Sequence, residues 1–314
     1  MATIKKKSLK VFTFILLLVF LTSFFLNYAH TTTTYTWFPK QMVMHFSEHL
    51  KRFMKYPQRP CSCSQCISET GFAPWFDERF NHTMQPLLNR QNAFLENDTY
   101  TWWMKLQRER TPKKLNETFM DLFSVIPGDV DPFLKKGPLV CRMNRAPTAG
   151  FEVDVGRKTT HHLVYPESFR ELAGNVSMIL VPFKTMDLQW LVSALTKGTI
   201  NFTYVPVPRK IHVNREKILI YHPAFIKYVF DNWLQAHGRY PSTGILSVIL
   251  SLHICDKVDL YGFGADSKGN WHHYWENNPS AGAFRKTGVH DGDFESNVTS
   301  TLASLNKIRI FKGR

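Results

Sequence analysis

Read as a string of apolar and polar positions, the chain changes character several times. Near its start, "VFTFILLLVFLTSFFLNYA" (residues 11–29) is a largely apolar stretch without a charge, long enough to cross a thin bilayer as a helix. Lys5, Lys6, Lys7 and Lys10 precede it and a Thr-rich stretch follows. That lysine bias predicts a cytoplasmic tail (1–10), a signal anchor (11–29) and a luminal remainder. A cleavable signal peptide is the competing reading, but the run is long and no small-x-small site follows it. Residues 30–60, Thr-rich and then mildly amphipathic, read as a stem.

Beyond the stem, "DTYTWWMKLQRER" and "KLNETFMDLFSVI" carry helical periodicity, and then short apolar runs take over. "VSMILVPF", "KILIYH" and "VDLYGFG" read as buried strands, separated by helical "PAFIKYVFDNWLQAHG" and "STGILSVILSLHICD". Strands alternating with helices predict an α/β, Rossmann-like fold with a mostly parallel sheet, its ligand at the carboxyl ends of the strands. The chain as a whole has 44% hydrophobic residues and 25 phenylalanines, and residues 61–314 are long enough to bury one substantial core, so one domain is expected.

Charge and cysteines then place that domain. The formal charge of +14 would suggest nucleic acid in a nuclear chain. Behind a membrane anchor it points to a small anion, such as a nucleotide or an acidic sugar, and half of its weight belongs to ordinary surface lysines. Six N-x-S/T sequons follow the anchor, at Asn81, Asn97, Asn116, Asn175, Asn201 and Asn297, in keeping with a secretory lumen. The triplet Cys61, Cys63, Cys66 is spaced for disulfides, and a zinc knuckle would need a fourth ligand that is not nearby. The only other cysteines are Cys141 and Cys255, so an odd total of 5 leaves one without an intramolecular partner.

The candidate chemistry lies towards the C-terminus. In "GRYPSTGILSVILSLHICDKVDLYGFGAD", Pro241 holds Tyr240 extended, and Ser242 or Thr243 can cap a helix starting at Gly244. Its unpaired N–H groups and dipole then offer an anion site beside Gly262 and Gly264, which end a strand. "GNWHHYWENN" and "GVHDGDFESN" add His272, His273 and His290 in a polar, glycine-punctuated region. Adjacent histidines on an extended segment cannot easily face one ion, which favours proton chemistry and phosphate contacts over metal.

"RMNRAPTAGFEVDVGRKTTHH", "HGRYPSTGILSVILSLHICDKVDLYGFG", "HHYWEN" and "HDGDFE" resemble, in that order, the large, small, third and very small sialylmotifs of the animal sialyltransferases. Within that family the chain is most similar to the α2,3-linking branch that acts on Galβ1-3GalNAc of O-glycans. The resemblance implies a variant glycosyltransferase-A fold on a Golgi membrane, type II, with its catalytic domain luminal. It also implies inverting transfer of sialic acid from CMP-sialic acid to the 3-hydroxyl of galactose. His290 would be the general base, and His273 would stabilise the departing phosphate. Asn144, Ser168, Tyr204, Tyr240, Ser242, Thr243, Gly244, Gly264 and His272 would hold the donor, and Gln107 would contact the acceptor. Outside the resemblance, Tyr204 reads equally as a strand tyrosine and Gln107 as a solvated helix residue. Glu295 would orient its loop. No cofactor or metal is implied; partners are the donor, glycoprotein and glycolipid acceptors, the membrane and a second copy of the chain, not nucleic acid.

The same resemblance exposes a gap. "PLVC" runs straight into "RMNRAPT", where the family carries a cysteine, a strand and a Gly-Asn-Ser-Gly turn, so about one βα unit is missing between Cys141 and Arg142. By family pairing Cys61 joins Cys66, Cys63 joins Cys141, and Cys255 is stranded. Two alternatives follow: an inactive Golgi-resident splice form, or a metal-dependent glycosyltransferase using Asp129 and Asp131, with Asp291 and Asp293 as a second D-x-D pair.

Overall fold

In the computed structural model, which describes residues 14–25, 67–107, 115–131, 139–263, 273–276 and 288–311, the apolar runs become parallel strands. The chain forms two units, Met1–Ser62 and Cys63–Arg314. In the first, residues 14–25 are helical and exposed, within the stretch expected to be the anchor. No helix among the described residues is long and apolar enough to cross a membrane. The expected tail and stem, Cys61, Cys63, Cys66, Gly264 and His272 lie outside the described residues.

In the second unit β1 (Cys141–Met143), β2 (His161–Val164), β3 (Ser177–Leu180) and β4 (Ile218–Ile220) form one sheet in sequential order. Every pairing is parallel, with Cys141 opposite His161, His161 opposite Ser177 and Met178 opposite Ile218. β5 (Asp259–Tyr261) and β6 (Arg309–Phe311) pair in parallel as a separate sheet. The expected parallel arrangement is present, but as two sheets rather than one central one: β1 and β5 each have a strand neighbour on one side only among the described residues.

Helices cover these strands, as parallel crossovers demand. They are α1 (Asn97–Leu106), α2 (Leu115–Val125), α3 (Thr185–Leu195), α4 (Pro223–Tyr228), α5 (Thr243–Ile254) and α6 (Gly292–Ser304). α2 packs on α3 and α1 on α4. The core includes Leu163, Met178, Ile179, Trp103, Trp190 and Trp233, all fully buried; each large side chain contributes about 1.5–3 kcal/mol by leaving water. Two of the indoles remain satisfied, Trp103 donating to Pro182 O and Trp190 to Pro208 O, both at 2.8 Å.

Two sequence expectations are corrected here. The helix read over residues 223–238 ends early: α4 widens into a π-type turn (Val229–Trp233), and Gln235, Ala236 and Gly238 take positive φ. The helix at the small motif begins at Thr243, with Ser242 as its cap. Among the described residues, neither Cys141 nor Cys255 is in a disulfide. Burial, reinforced by neighbouring Cys255, pushes the Cys141 thiol up to about 12. All six sequon asparagines are exposed.

Candidate functional site

The carboxyl ends of β1 to β4 and the N-terminus of α5 carry most of the expected site residues. Ser242 caps α5 by accepting from Ile245 N at 3.2 Å, which leaves the first helical N–H groups, those of Thr243 and Gly244, pointing out of the helix end. Among the described residues, a Cβ on Gly244 would meet only Ser242 Oγ at 3.3 Å and Phe263 at 3.6 Å, so none of them fills the space above it. Gly262 differs. Its φ of +71° and the Tyr274 ring, 2.9 Å from where a Cβ would stand, make glycine necessary for the protein's own packing rather than for a ligand.

Ser242 is itself held from α6. Glu295 accepts the Ser242 backbone N–H at 2.8 Å and the Ser242 hydroxyl, and it is only 8% exposed. Burial pushes its carboxyl up to about 7, against the pull of those two bonds. Glu295 therefore joins two helix starts, a wider role than orienting its own loop.

His290 sits where a turn grips it. Arg239 N donates to Val289 O at 2.9 Å, His237 Nδ1 lies 3.1 Å from Asp291 Oδ2, and the His237 ring stacks on Phe294 at 3.8 Å. Gly238, at φ +75°, makes this approach possible, because a Cβ there would press on Asp291 N at 3.0 Å and Val289 O at 3.2 Å. His290 Nδ1 is 2.8 Å from Tyr240 O; a carbonyl only accepts, so Nδ1 carries the proton and Nε2 is the basic nitrogen. Burial lowers the His290 pKa, outweighing the Tyr240 bond, while Arg239 lowers it further. The imidazole is thus neutral near pH 7 and able to take a proton. Its ring meets Tyr240 edge-on at 4.9 Å, and Tyr240 packs on Phe183 at 5.2 Å.

Phe183 leads to a buried polar cluster that the sequence did not reveal. Lys184 Nζ lies 2.7 Å from Asp187 Oδ1, 3.1 Å from Glu167 Oε1 and 2.6 Å from Gln107 Oε1. It also sits 5.0 Å from the centre of the half-exposed Tyr204 ring, whose hydroxyl is pushed above its usual pKa by burial and Glu167. Gln107, Tyr204, Tyr240 and His290 are thereby linked in one contiguous set of contacts.

Other expected residues fall differently. Asn144 ends β1 at φ +53°, receives the 2.6 Å bond of His162 Nε2 on its carbonyl, and has a buried Oδ1 without a partner among the described residues. Ser168 is committed locally, donating to Tyr165 O and accepting from Tyr165 N, both at 3.1 Å. His273 is nearly half exposed, 3.0 Å from Glu276 Oε1 and stacked on Trp275 at 4.3 Å. Its neighbour Tyr274 donates to Pro147 O and packs under Gly262, which brings this turn to the end of β5.

The D-x-D residues do not converge. Asp291 caps α6 by accepting from Phe294 N at 3.0 Å, and that bond lowers its pKa. Asp129 and Asp131 lie on the loop after α2, which is tied to the 89–92 turn through Gly128 O and Val130 O. Among the described residues no three His, Cys, Asp or Glu side chains cluster as metal ligands do.

Comparison with known proteins identifies the family. The family described as "Glycosyltransferase family 29 (sialyltransferase)" matches residues 135–307. The CMP-N-acetylneuraminate-beta-galactosamide-alpha-2,3-sialyltransferase 1 of Homo sapiens is 68% identical over 342 aligned positions, covering 100% of each chain, and that of Gallus gallus is 60% identical over 342 with the same coverage. Those 342 positions exceed this chain's 314 residues by 28. A mammalian sialyltransferase crystal structure, in complex with Gal-beta-1-3GalNAc-ortho-nitrophenol, superposes with a TM-score of 0.75 at 64% identity, covering 81% of this chain and 100% of that one. Matched over residues 135–307 and 68% identical over its whole length to a sialyltransferase, the chain belongs to glycosyltransferase family 29, the sialyltransferases.

Proposed function

We propose that this chain has the catalytic design of an inverting α2,3-sialyltransferase, moving sialic acid from CMP-sialic acid to the 3-hydroxyl of galactose in Galβ1-3GalNAc. The observation that carries the reading is the neutral His290, its Nδ1–H on Tyr240 O and its Nε2 basic. The names of the relatives supply the donor and linkage, and the disaccharide complex of the superposed structure supplies the acceptor. In the reaction His290 Nε2 takes the proton of the attacking hydroxyl as the new glycosidic bond forms, and CMP leaves with the electron pair of the broken bond. The outward N–H groups of α5, the hydroxyls of Tyr204 and Tyr240, and His273 would neutralise the departing phosphate, so no cation is required. The disposition is type II in the Golgi, with this unit luminal.

A second reading is favoured by the divided sheet and by the 28 surplus positions of the relative. A segment absent after Cys141 accounts for both: it would supply a strand beside β1 and a turn for the nucleotide, and its loss lowers stability and activity. The test is transfer of labelled sialic acid to Galβ1-3GalNAc by the full chain, by a form with the segment restored, and by both with EDTA. Transfer by the restored form that EDTA abolishes overturns the metal-free mechanism. Equal rates for the two forms overturn the impairment.

A further inference from the structure

Lys184 is the least accessible cation near the site, its side chain 8% exposed, between Glu167 at 4% and Asp187 at 0%. An ammonium has three donors and no acceptor, and here it donates to Glu167 Oε1 at 3.1 Å and Gln107 Oε1 at 2.6 Å and is ion-paired with Asp187 Oδ1 at 2.7 Å. Both carboxylates are fixed in turn, Asp187 Oδ2 by Phe183 N at 2.8 Å and Glu167 Oε1 by the Thr203 hydroxyl. The cation is therefore pinned by β3's exit and by the turn after β2, and Gln107, at the C-terminal end of α1, is the one neutral member of this trio.

This fixes which way the glutamine amide points. Only its oxygen can face an ammonium, so its N–H2 must face away from Lys184. We propose that Lys184 is a positioning residue for acceptor recognition: it locks Gln107 with its two N–H groups presented to the sugar, which is read there as a hydrogen-bond acceptor. The inference rests on the proposed acceptor role of Gln107, and it adds the residue that sets the amide's polarity. It also explains why the position is amide rather than acid, since a glutamate would set a third anion on one cation.

The test measures Galβ1-3GalNAc and CMP affinities of the full-length chain in detergent by calorimetry. For Gln107→Ala the acceptor Kd is expected to rise about 10-fold, the factor for one hydrogen bond to a fixed donor, with CMP affinity unchanged. Lys184→Met is expected to give a similar rise, the double variant to be no worse than Q107A alone, and Lys184→Arg to restore acceptor affinity to within about threefold. Should K184M fail to fold because two buried carboxylates lose their cation, Lys184→Gln with Asp187→Asn removes charge in balance and takes its place. An unchanged acceptor Kd in the Lys184 variants, or losses in K184M and Q107A that multiply, overturns the inference while leaving the proposed function standing. A parallel loss of CMP affinity in K184M also overturns it, since that marks collapse rather than positioning. If the chain binds CMP but Q107A leaves disaccharide affinity intact, Gln107 has no acceptor role and the inference falls with it. Binding of neither probe by the form with the segment after Cys141 restored overturns the proposed function itself.

Discussion

Replacing Glu295 by glutamine should remove a pH dependence of stability that this one carboxyl builds in. Glu295 is 8% exposed and bonded to Ser242 at both oxygens, yet its pKa is pushed from 4.5 to about 7, burial first among the causes. The folded state therefore holds the proton more tightly than the unfolded state, and between those two values it binds more protons. Stability from this group is complete below pH 4.5 and is lost as pH rises to about 7. The gap corresponds to about 3 kcal/mol, as an order of magnitude. Glutamine keeps an oxygen for the Ser242 N–H and can donate to the Ser242 hydroxyl, so E295Q should match the parent at low pH and exceed it by up to that amount above pH 7. Urea unfolding of both proteins at matched pH values reads the difference directly. Taking the difference between the two cancels Asp187, which burial also pushes up to about 7, and the buried histidines. Parallel stability curves across this window would refute the argument that Glu295 is driven towards its neutral form.

Other consequences are open to shorter tests. In the segment-restored form, His290→Ala should abolish transfer, and the acid limb of the parent's kcat/KM profile should lie below pH 6.5, since burial lowers this imidazole; a limb above that value contradicts the assignment. Gly238→Ala forces a Cβ against Asp291 N at positive φ, and should cost about 1–3 kcal/mol in unfolding while lowering turnover through a displaced His290. Ser242→Ala removes a helix cap worth about 1 kcal/mol and deprives Glu295 of the Ser242 hydroxyl, so the measured loss should exceed the cap alone. Restoring the segment after Cys141 should raise the urea midpoint; an unchanged midpoint would show that the divided sheet carries no penalty.

Much of this architecture is legible where apolar runs are uninterrupted. β3, β4, β5 and α5 fall inside stretches whose periodicity identifies them, and Ser242 follows from its place before the helix. β2 is hidden because two of its four buried residues are histidines, which read as polar although burial keeps them neutral, His162 at about 4. β1 is hidden by Arg142, 7% exposed, whose guanidinium donates to Val155 O, Gly156 O and Lys158 O. The early end of α4 reflects tertiary demand, since residues 235–238 must bring His237 to Asp291. Lys184, His237 and Gly238 escape a reading of the sequence because their roles exist only between distant segments, such as the 77-residue separation of Lys184 and Gln107. The His290 segment is visible because it combines a titratable group with turn-forming glycines.

The bare flanks of β1 and β5 bear on the fate of the polypeptide before any sugar is moved. Each offers a row of backbone donors and acceptors on a side where, among the described residues, no strand lies. Such flanks template pairing with another nascent chain or with a folding assistant that grips extended peptide. Abundance would then be governed by how fast those flanks are captured and cleared, so that cellular dosage responds to strand chemistry at residues 141–143 and 259–261 more than to the imidazole at 290.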